Sequence, residues 1–185
     1  YKDQVIEHIY ELVLEGSLTA GDQLKENVLA EEMGISRAPI REALKELTSN
    51  GIISYKPQVG SFVAQLSPKE IVDAYTTRGV LEGYAIMENM HRFTEEEIEK
   101  LENMADQMET SASRKKTKAV IQIGGEFHDL LISKNKNIQL MEYSDRLTQK
   151  LHILFYRHWG ELYSPEEIGN RHRRIIKALK QVDAR

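Results

Sequence analysis

The chain has 185 residues, 41% of them hydrophobic and 29% charged, with a net charge of −4 and no cysteine. That composition excludes disulfides and thiolate metal sites, and no apolar run approaches the length of a bilayer-spanning helix. The overall acidity also argues against nucleic-acid binding through a broadly basic surface, so any such contact must come from a local stripe.

Residues 2–15 place Val5, Ile9, Leu12 and Val13 on one face and stop at Gly16, the pattern of an amphipathic helix. Acids run through this segment, so it is not read as a signal peptide. "TAGDQL" reads as a turn. A short helix over 26–33 offers Val28, Leu29 and Met33 to a core and ends at Gly34. Ser36 then stands as an N-cap, with Pro39 in the first turn of a third helix that runs to about Ser49. Two β-rich runs around Pro57 and Gly60 follow and read as a hairpin.

The third helix sorts its side chains by face. Ile40, Ala43, Leu44 and Leu47 point one way, while Arg37, Arg41 and Lys45 form an outward strip. Like charges at i, i+4 and i+8 weaken a helix unless something negative lies opposite. Residues 1–66 hold six Lys/Arg against ten Asp/Glu, so the strip is a local exception in an acidic segment. Three helices, a hairpin and a basic strip make up the grammar of a winged helix-turn-helix, whose third helix fits the major groove of DNA. In that setting the strip reads as a contact with nucleic acid, the alternative being a solvated charged helix face.

Residues 67–185 read as entirely helical, with segments over 68–91, 94–112, 116–133, 137–159 and 165–182. Three of them start on Ser or Thr with Glu three places on: Ser67/Glu70, Thr94/Glu97 and Ser164/Glu167. The expected fold is therefore mainly α: a winged helix-turn-helix over 1–66, a hinge at "QLSPKE", and an antiparallel helical bundle over 67–185 that is possibly incomplete at its C-terminus.

Leu24, Glu26, Leu29-Ala30, Gly34, Ser36-Arg37, Pro39, Arg41-Glu42-Ala43-Leu44, Leu47, Gly51, Gly60 and Val63 together resemble the DNA-binding domain of GntR-family bacterial transcription regulators. The bundle resembles, more loosely, the ligand-sensing FCD-type domain of the FadR-like branch, through Arg78, Leu81-Glu82, Phe127-His128, Asn137, His172, Ile175, Ala178 and Asp183. The resemblance implies a cytoplasmic homodimer on a palindromic double-stranded operator. It further implies that Arg37 and Arg41 touch bases or phosphates, that Ser36 helps position the backbone, and that the wing tip near Gly60 approaches the minor groove. Lys45 extends the same strip.

Many related sensing domains hold a divalent metal such as Zn, Mn or Ni through Asp-x-x-x-His and two further histidines. His128 and His172 match two of those positions, but Gly124 stands at the aspartate's, and a third histidine would fall past Arg185. His158 lies on the stripe of Leu147, Leu151 and Leu154 and is a substitute ligand, whereas His152 lies off it and is expected to be exposed. An inward histidine is more often a hydrogen-bonded core residue than a ligand.

Gly124-Gly125 inside a predicted helix costs roughly 1 kcal/mol per glycine relative to alanine. A kink, a close helix contact and space for an effector are equal readings of it. Arg78 and Glu82, at i and i+4, share a face with Ile71, Ala74, Tyr75 and Ala85 and are expected to point inward. A structural ion pair is one reading. The other gives Arg78 the carboxylate of a small organic acid, with Glu82, Gly124, His128 and His172 around it.

The functional expectation is a sequence-specific transcription regulator tuned by a small metabolite. The alternatives are a metal-responsive regulator and, from another class, a metal-dependent enzyme. Against the enzyme, the sequence lacks a glycine-rich phosphate loop, a nucleophile elbow and HExxH.

Overall fold

The computed structural model describes residues 1–155, 158 and 162–181. Its elements run α1 (Lys2–Glu15), β1 (Gln23–Leu24), α2 (Glu26–Met33), α3 (Arg37–Ser49), β2 (Ile53–Lys56), β3 (Gly60–Val63) and α4 (Pro68–Asn89). A 3₁₀ turn at Met90–Arg92 leads to α5 (Glu95–Ser113), α6 (Thr117–Ile132), α7 (Ile138–Leu154) and α8 (Pro165–Lys180). The architecture is mainly α, a winged helix-turn-helix followed by a helical domain. The chain divides into two compact units, residues 1–71 with 150–155, and 72–149 with 156–185. The boundary expected from sequence lies at 66/67, so α4 and α7 each have residues in both units.

In the first unit the heptad-like spacing of α1 buries Val5, Ile9 and Val13 against Ile40, Ala43 and Leu47 of α3. Gly16 ends α1 in the left-handed conformation. α2 turns Leu29 and Ala30 inward, while Val28, expected in the core, is 41% exposed. The short helix is thus rotated by about one position from the pattern read in its sequence.

The wing is larger than a hairpin. β3 pairs antiparallel with β2, Ile53 facing Val63 and Lys56 facing Gly60. It pairs on its other side with β1, where Gln23 faces Phe62 and Leu24 faces Ser61, giving the order β1-β3-β2. The turn expected at "TAGDQL" is present only at its start, where Asp22 accepts hydrogen bonds from the Thr19 amide and hydroxyl. Two residues of strand are too few to show an alternating pattern, so β1 was invisible in the sequence.

All three Ser/Thr–Glu helix starts form reciprocal caps, the first at the end of the first unit and the other two in the second. Ser67 and Glu70, Thr94 and Glu97, and Ser164 and Glu167 each exchange side-chain and backbone bonds. The core gathers Leu101, Met104, Ala105 and Met108 of α5, Val120, Phe127 and Leu131 of α6, and Ile168, Ile176 and Leu179 of α8. α6 runs as one helix through Gly124-Gly125.

α7 departs most from expectation. It ends at Leu154 rather than 159; residues 156, 157 and 159 of the expected helix lie outside those described. Its buried positions include Leu140, Ser144, Thr148 and Leu151. His152 is buried and His158 is exposed, the reverse of the expectation. Inward Ser and Thr carry no hydrophobic signal, and the apolar stripe was therefore drawn one position off.

Candidate functional site

Two arrangements of charged side chains stand out, one in each unit. On α3, Arg37, Arg41 and Lys45 all lie exposed, above the buried face that fixes the helix in place. Ser36 occupies the N-cap position in extended conformation, and its hydroxyl makes no capping bond. The strip does have a negative partner within the chain. Glu26, the first residue of α2, accepts from Arg37 Nη2 and from Arg41 Nε on one oxygen, both at 2.8 Å. Those two bonds, Arg41's first, hold the Glu26 carboxyl below the usual carboxylate range. Both arginines remain more than half exposed, at 57% and 56%.

A shallow hollow beside the strip is lined by Glu26, Arg41, Lys45, Thr48, Tyr55 and Ser61. Tyr55, 61% exposed on β2, brings an aromatic ring to this face that the sequence pattern did not single out. At the wing tip Gly60 has φ of 128°, and a Cβ there would lie 2.9 Å from Gln23 Nε2. That amide donates to the Val59 carbonyl at 2.8 Å, so β1 braces the tip.

The second arrangement is buried. Arg78 and Glu82 from α4, His128 from α6, Ser144 from α7 and His172 from α8 are each 8% exposed or less. Arg78 Nε lies 3.3 Å from Glu82 Oε1, and Ser144 donates to the same oxygen at 3.2 Å. His128 bridges the pair: its Nδ1 is 2.9 Å from Glu82 Oε2 and its Nε2 is 3.1 Å from Arg78 Nη2. A guanidinium only donates, so Nε2 is the acceptor and the ring proton sits on Nδ1, donated to Glu82. Burial pushes the Glu82 carboxyl up, but the hydrogen bond from His128 and the charge of Arg78 outweigh it and leave it lowered.

His172 donates from Nδ1 to the Ile168 carbonyl at 2.7 Å, which leaves the lone pair on Nε2. Burial drives its pKa down to about 4. Its ring lies 5.8 Å from that of His128, and Phe127 packs edge-on against both. Arg78 Nη1 is buried without a hydrogen-bond partner. Sequence reading brought Arg78, Glu82, His128 and His172 to one place. It missed Ser144, whose only signal was its heptad position.

The donors do not fit a divalent cation. His128 has no lone pair to spare: Nδ1–H is held by Glu82, and Nε2 accepts from a buried guanidinium that a metal would have to displace. Gly124 supplies no donor, and His158 is exposed past the end of α7. Among the described residues no group of three or more His, Asp or Glu is placed to hold an ion. No described helix is long and apolar enough to cross a membrane.

Comparison with known proteins gives two domain matches. Residues 1–63 match the family described as bacterial regulatory proteins, gntR family, and residues 73–185 match the FCD domain. The uncharacterized HTH-type transcriptional regulator YdhC of Bacillus subtilis (strain 168) is 25% identical over 182 residues, 98% of this chain and 81% of that protein. The HTH-type transcriptional repressor RspR of Escherichia coli (strain K12) is 25% identical over 166 residues, 90% of this chain and 73% of that one. Relatives at 39% identity align over 84 residues, about a third of their own length. Among solved structures, E. coli McbR/YncC superposes with a TM-score of 0.76 at 21% identity, covering 97% of this chain and 86% of that one.

Proposed function

Because the chain belongs to the gntR family of bacterial regulatory proteins and carries an FCD domain, it is a DNA-binding transcription regulator and not an enzyme, and we propose that a small anionic metabolite tunes its hold on DNA. The regulator works in the cytoplasm as a homodimer on a palindromic double-stranded operator, residues 1–66 reading DNA and 67–185 sensing. Arg37 and Arg41 enter the major groove, where an arginine fork matches guanine O6 and N7. Ser36 and Lys45 take phosphate, and the wing tip at Gly60 meets the minor groove. The exposure of both arginines and the uncapped Ser36 hydroxyl support this reading.

The effector is a carboxylate. One observation carries this: Arg78 sets Nε in an ion pair with Glu82 and gives Nη2 to His128, while Nη1 is buried with no hydrogen-bond partner. A buried donor left unpaired costs more than the mean hydrogen bond contributes, so an acceptor that reaches it gains that difference. His172, neutral near pH 7, offers Nε2 to a hydroxyl or protonated group on the same molecule. Gly124, buried on α6, adds no side chain to the space.

Operator titration at fixed salt, with short mono- and dicarboxylates added in turn to wild type and to Arg78→Gln, tests the assignment. At least one carboxylate is expected to shift operator affinity at least tenfold in wild type and less than twofold in the variant. An uncharged effector that acts equally on both proteins overturns it.

A further inference from the structure

Among the described residues two that are not glycine carry a positive φ, Gln58 at 62° and Lys115 at 56°. Lys115 stands between α5 and α6, where a left-handed residue lets the chain satisfy the last carbonyls of a helix: its amide donates to Ala112 and that of Lys116 to Ser111. Gln58 has no helix to close. It sits at the wing tip, between β2 and β3, in a turn that the Val59 amide closes onto the Lys56 carbonyl at 3.1 Å. Proline followed by a residue of positive φ is the pattern of a type II turn, whose third position favours glycine or asparagine because a larger side chain crowds its own backbone. Glutamine takes that position here, after Pro57. Strain kept at an exposed position marks a side chain in use.

Gln58 is exposed, and its side chain makes no hydrogen bond among the described residues. The turn that carries it is braced, since Gln23 on β1 donates to the Val59 carbonyl at 2.8 Å. Lys56, the one charged residue between Gly51 and Leu66, lies over the Phe62 ring at 5.0 Å. Val59, next in the chain to Gln58, is apolar and 58% exposed. Residues 57–60 therefore offer DNA a neutral amide and a small apolar surface, and no charge.

We propose that Gln58 reads the minor groove and selects an A·T pair there. The inference rests on the wing reading above and adds the residue that reads and the pair it accepts. At A·T the minor-groove floor presents acceptors only, adenine N3 and thymine O2, to which the glutamine amide donates. At G·C the guanine amino group stands up from that floor, holds the amide off the acceptors and is covered by Val59 without a partner, so the pair is rejected. Neither side chain is charged. The contact therefore adds discrimination and leaves the salt dependence of binding to the basic strip on α3.

Gln58→Gly separates use from structure. Glycine adopts the left-handed turn without strain, so the variant is expected to fold as wild type does, checked by its unfolding midpoint. Wild type first selects its operator from a random duplex library. In that operator 2,6-diaminopurine then replaces adenine at each A·T pair in turn, which adds an amino group in the minor groove and leaves the major-groove edge as it was. Wild type is expected to lose about fivefold or more in affinity at one pair of each half-site, and Gln58→Gly less than twofold at that pair, with equal slopes of affinity against salt. An equal loss in both proteins, or no responsive pair in wild type, overturns the assignment of Gln58 and leaves the α3 contacts standing. A wild type that enriches no sequence overturns the operator reading and this inference with it.

Discussion

The two units use the same chemistry, arginine against glutamate, in opposite surroundings. In the first unit Glu26 holds Arg37 and Arg41 in water, where such pairs contribute little stability because solvent screens them and long side chains must be ordered. In the helical unit Arg78 and Glu82 are buried, so their pairing decides whether two desolvated charges are tolerated. An exposed pair is free to exchange its partner for a phosphate or a base. A buried pair is fixed, and in the proposed reading an effector meets the donor that the pairing leaves over.

The sharpest way to break that contrast is Glu82→Ala. It leaves the Arg78 guanidinium buried and uncompensated and takes the acceptor from both His128 and Ser144. The expected cost is about 3–5 kcal/mol in denaturant unfolding of the helical unit. Replacing Arg78 and Glu82 together by apolar residues of similar size is expected to recover most of it. A loss below about 1 kcal/mol for the single variant would mean water reaches the cluster and the buried reading is wrong.

Next in size is the response to pH. His172 has its pKa lowered to about 4 from an ordinary 6.5, so the unfolded chain takes up the proton first as pH falls. Its contribution to stability is therefore intact above pH 6.5 and declines down to about 4, then levels off. The span corresponds to about 3 kcal/mol in total. Glu82, also lowered, adds its loss only below the ordinary carboxylate range. His172→Gln, measured by unfolding midpoint across this window, is expected to flatten the upper part of the slope. An unchanged slope would place the proton uptake elsewhere.

How legible these sites were in the sequence follows from the same contrast. The apolar period of α3 put Ile40, Ala43, Leu44 and Leu47 inside and the basic strip outside, and burial agrees residue by residue. The i, i+4 spacing of Arg78 and Glu82 with their apolar neighbours foretold two inward charges. Where the buried face is polar the method fails: Ser144 and Thr148 turned α7 away from its apparent stripe and brought His152 inside, while His158 lies past the end of that helix. Long-range partners fail too. Nothing local in the sequence says that Glu26, eleven and fifteen residues before its arginines, closes on both. The two-residue β1 is a third such case, since its pairing with β3 is what makes it a strand.

The smallest stability effects belong to the exposed pairs, and there the comparison is sharpened by reading DNA binding instead. Arg41→Ala is expected to change unfolding by no more than about 0.5 kcal/mol, the range of surface substitutions, yet to cost about 1–3 kcal/mol per protomer in operator binding. Glu26→Gln keeps the size of the side chain and removes its charge. It should cost less than about 1 kcal/mol in stability, since both partners are more than half exposed. Its effect on DNA has two parts with different signs. Loss of a negative charge beside the strip strengthens binding to any sequence and steepens the dependence on salt. Loss of the shared acceptor unlocks two arginines that Glu26 holds at fixed separation, and ordering them then falls to the DNA, which weakens operator binding relative to random sequence. The expected result is tighter non-specific binding and a smaller ratio of operator to non-specific affinity, measured in parallel titrations at two salt concentrations. A ratio that stays constant while both affinities rise would reduce Glu26 to a simple competitor for the arginines. A fall in both affinities would make it an aligning residue whose charge hardly opposes DNA.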